Sequence, residues 1–157
     1  MKFTRIPLTV TVVILLVSAV AGSAVAQSGS DDVGLYESLE EMVPVYNENA
    51  DSVDLGPINL AGTSNIYIQD GESVVTYSIV MDSQNRITAL NDSPGADAKR
   101  KITTDRATIE SLTAADNPAV AFRNAVAADD IVITGEDGQT VERIKWAVIN
   151  AFKGFFI

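Results

Sequence analysis

The chain of 157 residues contains neither cysteine nor histidine. Without cysteine there is no disulfide, no thiol nucleophile and no lipoprotein anchor built on an N-terminal cysteine. Without histidine, the side chain best suited to acid–base work near neutral pH is missing. No serine sits in a G-x-S-x-G elbow. Glu40-Glu41 and Asp129-Asp130 are paired carboxylates, and two carboxyls suffice for glycoside hydrolysis. On so acidic a chain, adjacent acids read as solvated surface, so no catalytic residue is expected. Basic residues are scarce as well, 11 against 21 acidic ones, for a formal charge of −10. A surface of that sign repels phosphate backbones and excludes a nucleic-acid partner.

What is present begins at the N-terminus. Lys2 and Arg5 precede an apolar run, "VTVVILLVSAV" (Val10 to Val20), and Ala24-Val25-Ala26 forms the small-x-small pattern that signal peptidase accepts. Residues 1–26 are read as a signal peptide, with an uncleaved membrane anchor at 6–22 as the alternative. The run is short for a span of about 20 residues, and no twin-arginine pair precedes it. The chain is therefore expected at the cell surface or outside the cell. Removing residues 1–26 leaves 131 residues, enough for one domain with its own core. Nine basic and twenty-one acidic side chains remain, a formal −12. Such acidity suits a salty exterior, where screening weakens self-repulsion, and fits a halophilic archaeal source.

After a polar leader (27–34), Leu35, Leu39, Met42 and Tyr46 recur at intervals of four, three and four, one face of a helix. Asp31 and Asp32 suit its N-terminus. Pro44 is expected to kink or end it near Val43. Asp54-Leu55-Gly56-Pro57 is a break. Strands are expected at Ser64–Ile68, Ser73–Met81, Arg86–Leu90 and Ala98–Thr104, parted by turn chemistry at Asp70-Gly71, "DSQN" and "NDSPG". In the longest, Val75, Tyr77 and Ile79 alternate with Thr76 and Ser78, so one face is buried. Such a meander predicts an antiparallel sheet. Thr104 or Asp105 can then cap a helix carrying Ile109 and Leu112. Asn117 caps another, with Pro118 in its first turn and Ala121, Phe122, Ala125 and Val126 on its apolar face. A last strand, Asp130–Gly135, and a tail helix complete the order α-β-β-β-β-α-α-β-α.

Four stretches carry a resemblance to a known family. "SVVTYSIVM" followed by "NRITALNDSPGADAKRKITTD", "TTDRATIESL", "NPAVAF" and "DIVITGED" together resemble the sterol carrier protein 2-like (SCP2-like) lipid-binding domains. The resemblance spans about residues 35–156. It implies a single α+β domain over 35–157, with a mainly antiparallel five-stranded sheet packed against helices that enclose an apolar tunnel. It also implies an apolar small molecule or lipid as ligand and no cofactor. The segment "RNAVAADD" departs from the family in being longer and more acidic than the expected turn.

Helical faces within the resembling segment nominate Ile109, Leu112, Phe122, Val126, Val148, Ile149 and Phe152 as the apolar lining. Asp129, Asp130, Glu136 and Asp137 offer oxygens that suit calcium, but they lack EF-hand spacing and read as turn acids, so no metal is expected. Asn91-Asp92-Ser93 is an N-glycosylation sequon at Asn91. In the tail, Val141, Ile144, Val148, Phe152 and Phe155 follow helical spacing, with Trp146, Ile149 and Phe156 beside them. This helix is expected to pack on the sheet, to line the tunnel, or to touch an anionic membrane surface through Trp146 and the lysines. The function expected is that of an exported, non-catalytic carrier of an apolar ligand. The alternative is a self-associating structural subunit of the cell surface or an extracellular filament. If residues 1–26 are a signal peptide, N-terminal sequencing of the protein recovered from its host's medium or surface is expected to start at Gln27; a start at Met1 indicates an anchor.

Overall fold

The computed structural model describes residues 29–53, 59–152 and 154, without the side chains of 29–33, 148 and 152. The signal segment 1–26, the start of the leader and Phe155–Ile157 lie outside the described residues. The elements are α1 (Gly29–Glu48), a 3-10 turn (Ala50–Ser52), β1 (Gly62–Asp70), β2 (Ser73–Met81), β3 (Ile87–Asn91), β4 (Arg100–Asp105), α2 (Arg106–Thr113), α3 (Pro118–Ala127), β5 (Val132–Gly135) and α4 (Thr140–Phe152). The fold is α+β, in the expected order, around one five-stranded sheet. The caps are those the sequence offers. The Asp105 carboxylate accepts from the Thr108 N–H at 2.7 Å, and the Asn117 side chain accepts from the Val120 N–H at 3.0 Å, with Pro118 opening α3. Most of "RNAVAADD" is not a turn but the end of α3; the chain reverses only at Ala128–Asp130, with Asp129 in the left-handed region.

Two expectations change. Pro44 neither ends nor visibly interrupts α1, which continues to Glu48. Pro44 is exposed, so the carbonyl it leaves unpaired can turn to water. The helix also starts earlier, at Gly29, inside the segment read as a polar leader. The meander is broken as well. The strand order is β3-β2-β1-β4-β5, and β4 runs parallel to β1 while the other neighbours are antiparallel. After β3 the chain crosses the outer face of β2 and β1. The Ser78 hydroxyl donates to the Ser93 carbonyl at 2.8 Å, and the Gly95 N–H donates to the Asn65 side chain at 2.8 Å. Asn65 and Ser78 are buried under this crossing.

Register assigns the two faces. Ile66, Tyr77, Ile79, Ile102 and Ile133 share one face and are buried. Asn65, Tyr67, Thr76, Ser78 and Lys101 share the other, where the Tyr67 hydroxyl donates to Glu136 at 2.7 Å and the Lys101 ammonium lies 4.3 Å from the Tyr67 ring centre. A bulge between β2 and β3 turns both Ile87 and Leu90 toward the apolar face, although three positions apart on one strand. Helices α1, α2 and α3 cover that face, and each large aliphatic or aromatic group sealed there contributes roughly 1.5–3 kcal/mol. Asn47 of α1 clamps β3 by donating to the Ile87 carbonyl at 2.8 Å and accepting its N–H at 2.7 Å.

Helix α4 lies against β5. Asn150 donates to the Ile133 carbonyl at 2.8 Å. Closer to the start of α4, a Cβ at Gly135 would come within 2.8 Å of the Arg143 Cα, so glycine is what lets helix and strand meet. Gly135→Ala is expected to destabilise the chain by roughly 1–3 kcal/mol, read as a lower urea midpoint; an unchanged midpoint would mean that α4 does not dock as closely as described.

Candidate functional site

The apolar face of the sheet does not close completely against the helices. Between them lies a cavity of about 50 Å³, walled by Leu39, Met42, Val43 and Tyr46 of α1, Ile109 and Leu112 of α2, Pro118 and Phe122 of α3, and strand residues including Ile66, Ile79, Met81 and Ile102. Among the described residues none that lines it is charged. Only two carry hydroxyls, Thr104 and Tyr46. Thr104 donates to the Asp130 carbonyl at 3.0 Å. Among the described residues the Tyr46 hydroxyl is buried without a hydrogen-bond partner, an arrangement that costs roughly 1–3 kcal/mol. Its ring stands edge-on to Phe122 at 6.1 Å, a favourable aromatic geometry.

The nominated residues divide. Ile109, Leu112 and Phe122 line the cavity. Val126 is buried in the same core without lining it, and Ile149 packs against that core in part. The side chains of Val148 and Phe152 lie outside the described residues. The α1 contribution went unnominated although its helical face was legible at Leu39, Met42 and Tyr46. So did the strand contribution, because alternation marks a buried face without saying whether that face is in contact or lines a gap.

The tail helix presents a different side from the one its spacing suggested. Trp146 is fully buried, with its indole N–H donating to Glu142 at 3.2 Å, so it is not available to a membrane surface. Val141 and Ile144 are instead 79% and 63% exposed, beside Lys145. Positions 142, 146, 149 and 150 make the inward face, because Asn150 and Trp146 both find polar partners there that Val141 and Ile144 do not need. Asn91 is exposed at the end of β3, its amide donating to Ser78 at 3.2 Å. Among the described residues no cluster of three or more acidic side chains is placed to hold a metal, and no helix is long and apolar enough to cross a membrane.

No model of a known protein family matches the chain, and no curated protein sequence does. Solved structures similar to it include palmitated SCP2L2 from Aedes aegypti, with TM-score 0.40, 15% identity, and coverage of 72% of this chain and 92% of that one. Sterol carrier protein 2 from Aedes aegypti in complex with palmitate has TM-score 0.36 and 18% identity over 76% of this chain and 97% of that one. The ubiquinone synthesis protein UbiJ-SCP2 has TM-score 0.36 and 13% identity over 76% and 95%.

Burial pushes the Tyr46 hydroxyl up to about 12, from 10.0. The folded chain thus holds a proton that the unfolded chain releases above pH 10, so this stabilisation is present below pH 10 and is lost as pH rises toward 12. Relative to Tyr46→Phe, the natural chain is expected to lose about 1 kcal/mol between pH 9 and pH 11, measured by urea midpoints. Equal alkaline sensitivity of the two chains would mean that Tyr46 is not buried as described.

Proposed function

We propose that the chain is an exported, non-catalytic carrier of an apolar ligand, which it holds between the inner face of the sheet and α1, α2 and α3. The observation that carries this reading is the cavity itself, uncharged throughout its lining and placed where the three helices meet the sheet. It is narrow, and Met42, Val43 and Leu90 in its wall are only half-buried. Its roughly 50 Å³ is well below the 300–1,000 Å³ of typical small-molecule sites.

Loading therefore requires the helices to part, and the geometry favours one place. A surface groove of about 350 Å³, bounded by Ser38, Met42 and Val45 of α1 and by Thr113–Ala115 and Pro118, shares Met42 and Pro118 with the cavity. On this reading those two side chains separate groove from cavity. A thioether side chain can change rotamer at little cost, and the short connection between α2 and α3 is the segment that must swing with Pro118. The gain on loading is burial, about 0.8 kcal/mol for each methylene removed from water. Delivery to a membrane would use the outer ridge of α4, Val141, Ile144 and Lys145, in place of Trp146.

Palmitate, the ligand of two of the similar structures, is the natural first probe. Native mass spectrometry of the protein purified from its own host, followed by organic extraction, is expected to show a stoichiometric adduct of lipid mass, and the emptied protein to take up a fluorescent fatty acid. A bare chain that takes up none, and whose size grows with concentration, would instead support the structural-subunit reading, with Val141 and Ile144 as its contact.

A further inference from the structure

We propose that the ligand of this cavity is an uncharged apolar molecule bearing one oxygen that accepts a hydrogen bond from the Tyr46 hydroxyl. The inference rests on the carrier reading above and narrows it to a class of ligand.

The buried hydroxyl is the first ground. Tyr46 is 2% exposed, lines the cavity, and its oxygen has no partner among the described residues. Phenylalanine would fill the same space against Phe122 without an unmet polar group. Two other buried side-chain atoms lack partners among the described residues, Arg86 Nε and Glu136 Oε2, but they belong to groups paired elsewhere, Arg86 with Asp51 and Glu136 with Tyr67, and neither residue lines the cavity. Thr104, the other hydroxyl in the wall, already gives its proton to the Asp130 carbonyl. Tyr46 is left as the wall's donor. Because burial raises its pKa to about 12, it keeps that proton across the physiological range.

The absence of charge in the lining is the second ground. Arg100 is buried on the same face of the sheet, yet its guanidinium already donates to Ser64 and to the Leu60 and Ala61 carbonyls. A carboxylate drawn into the cavity would lie without a counter-ion in an apolar surrounding, which is strongly disfavoured. A ketone, aldehyde, ester or alcohol oxygen meets a neutral donor at no such cost. The hydrocarbon remainder of the ligand would occupy the space opened past Met42 and Pro118.

Three ten-carbon probes test this on the natural chain and on Tyr46→Phe: decane, 2-decanone and, at pH 8, decanoate, each followed by displacement of a bound uncharged fluorescent probe, a pyrene-labelled alkane. The substitution is expected to weaken 2-decanone about tenfold, the worth of one buried hydrogen bond, and to leave decane within twofold. Decanoate is expected to bind the natural chain at least about tenfold more weakly than the ketone. Thermal melting of the ligand-free chains checks that Tyr46→Phe folds, with a midpoint equal to or above that of the natural chain. If the substitution changes ketone and decane alike, or neither, the proposal fails while the carrier reading stands. Decanoate bound as tightly as the ketone would overturn it too. If the natural chain binds neither decane nor the ketone, the carrier reading falls and the proposal with it.

Discussion

A guanidinium buried on the apolar face of a sheet governs much of this architecture. Arg100, 5% exposed, holds the Leu60 and Ala61 carbonyls at 2.7 and 2.5 Å and the Ser64 hydroxyl at 3.0 Å. Those contacts tie the segment entering β1 to the start of β4, so the parallel pair at the centre of the sheet is set where the chain has just crossed over. Burial lowers the Arg100 pKa, and the negative charge of Glu142 on α4 acts in the opposite sense. Glu142 also receives the indole N–H of Trp146. One cation thereby links the entry to the sheet, its central crossover and the docking of the last helix. Removing it would leave buried carbonyls without donors, which is why a charge persists in so apolar a place.

Around that centre the four described helices lie on one side of the sheet. The other face of the sheet is a surface of hydroxyls, amides and Tyr67, crossed by the loop after β3. One-sidedness concentrates the apolar side chains into a single layer, where a slight mismatch between α1, α2, α3 and the sheet becomes a cavity instead of many small gaps. Met42 and Met81 both border it, and methionine adapts to changed volumes better than branched side chains do. The same layer is therefore both the core of the domain and the wall of the cavity.

Much of this was legible in the chain. The interval pattern at Leu35, Leu39, Met42 and Tyr46 picked out the buried face of α1, and β2 runs from Ser73 to Met81 as its alternation and flanking turns indicate. Asp105 and Asn117 act locally, on N–H groups three residues ahead, so their roles could be read without tertiary context. What escaped depends on partners distant in sequence. Pro44 is tolerated because its side of α1 meets water. Arg100 looks like one more basic residue in "AKRKITT" until Leu60 and Ser64 come beside it. The bulge that turns Ile87 and Leu90 to one face leaves no periodic trace. On α4 two apolar faces compete in the sequence, and Asn150, Trp146 and Gly135 decide between them through contacts with β5. For the candidate site, Ile109, Leu112 and Phe122 could be named from helical faces, but a cavity is a property of how layers fit and not of any one face.

The clamp of Asn47 on Ile87 has a counterpart across the sheet, where Asn150 holds the carbonyl of Ile133. β3 and β5 are the two edges of the sheet, and each has backbone polar groups occupied by an asparagine from a covering helix. An edge strand left open is a template on which another chain can extend the sheet. Here a newcomer would first have to displace an asparagine from either edge. Strand addition at either edge, the first step of fibril growth, is thereby opposed by side chains that belong to the helices and not to the strands.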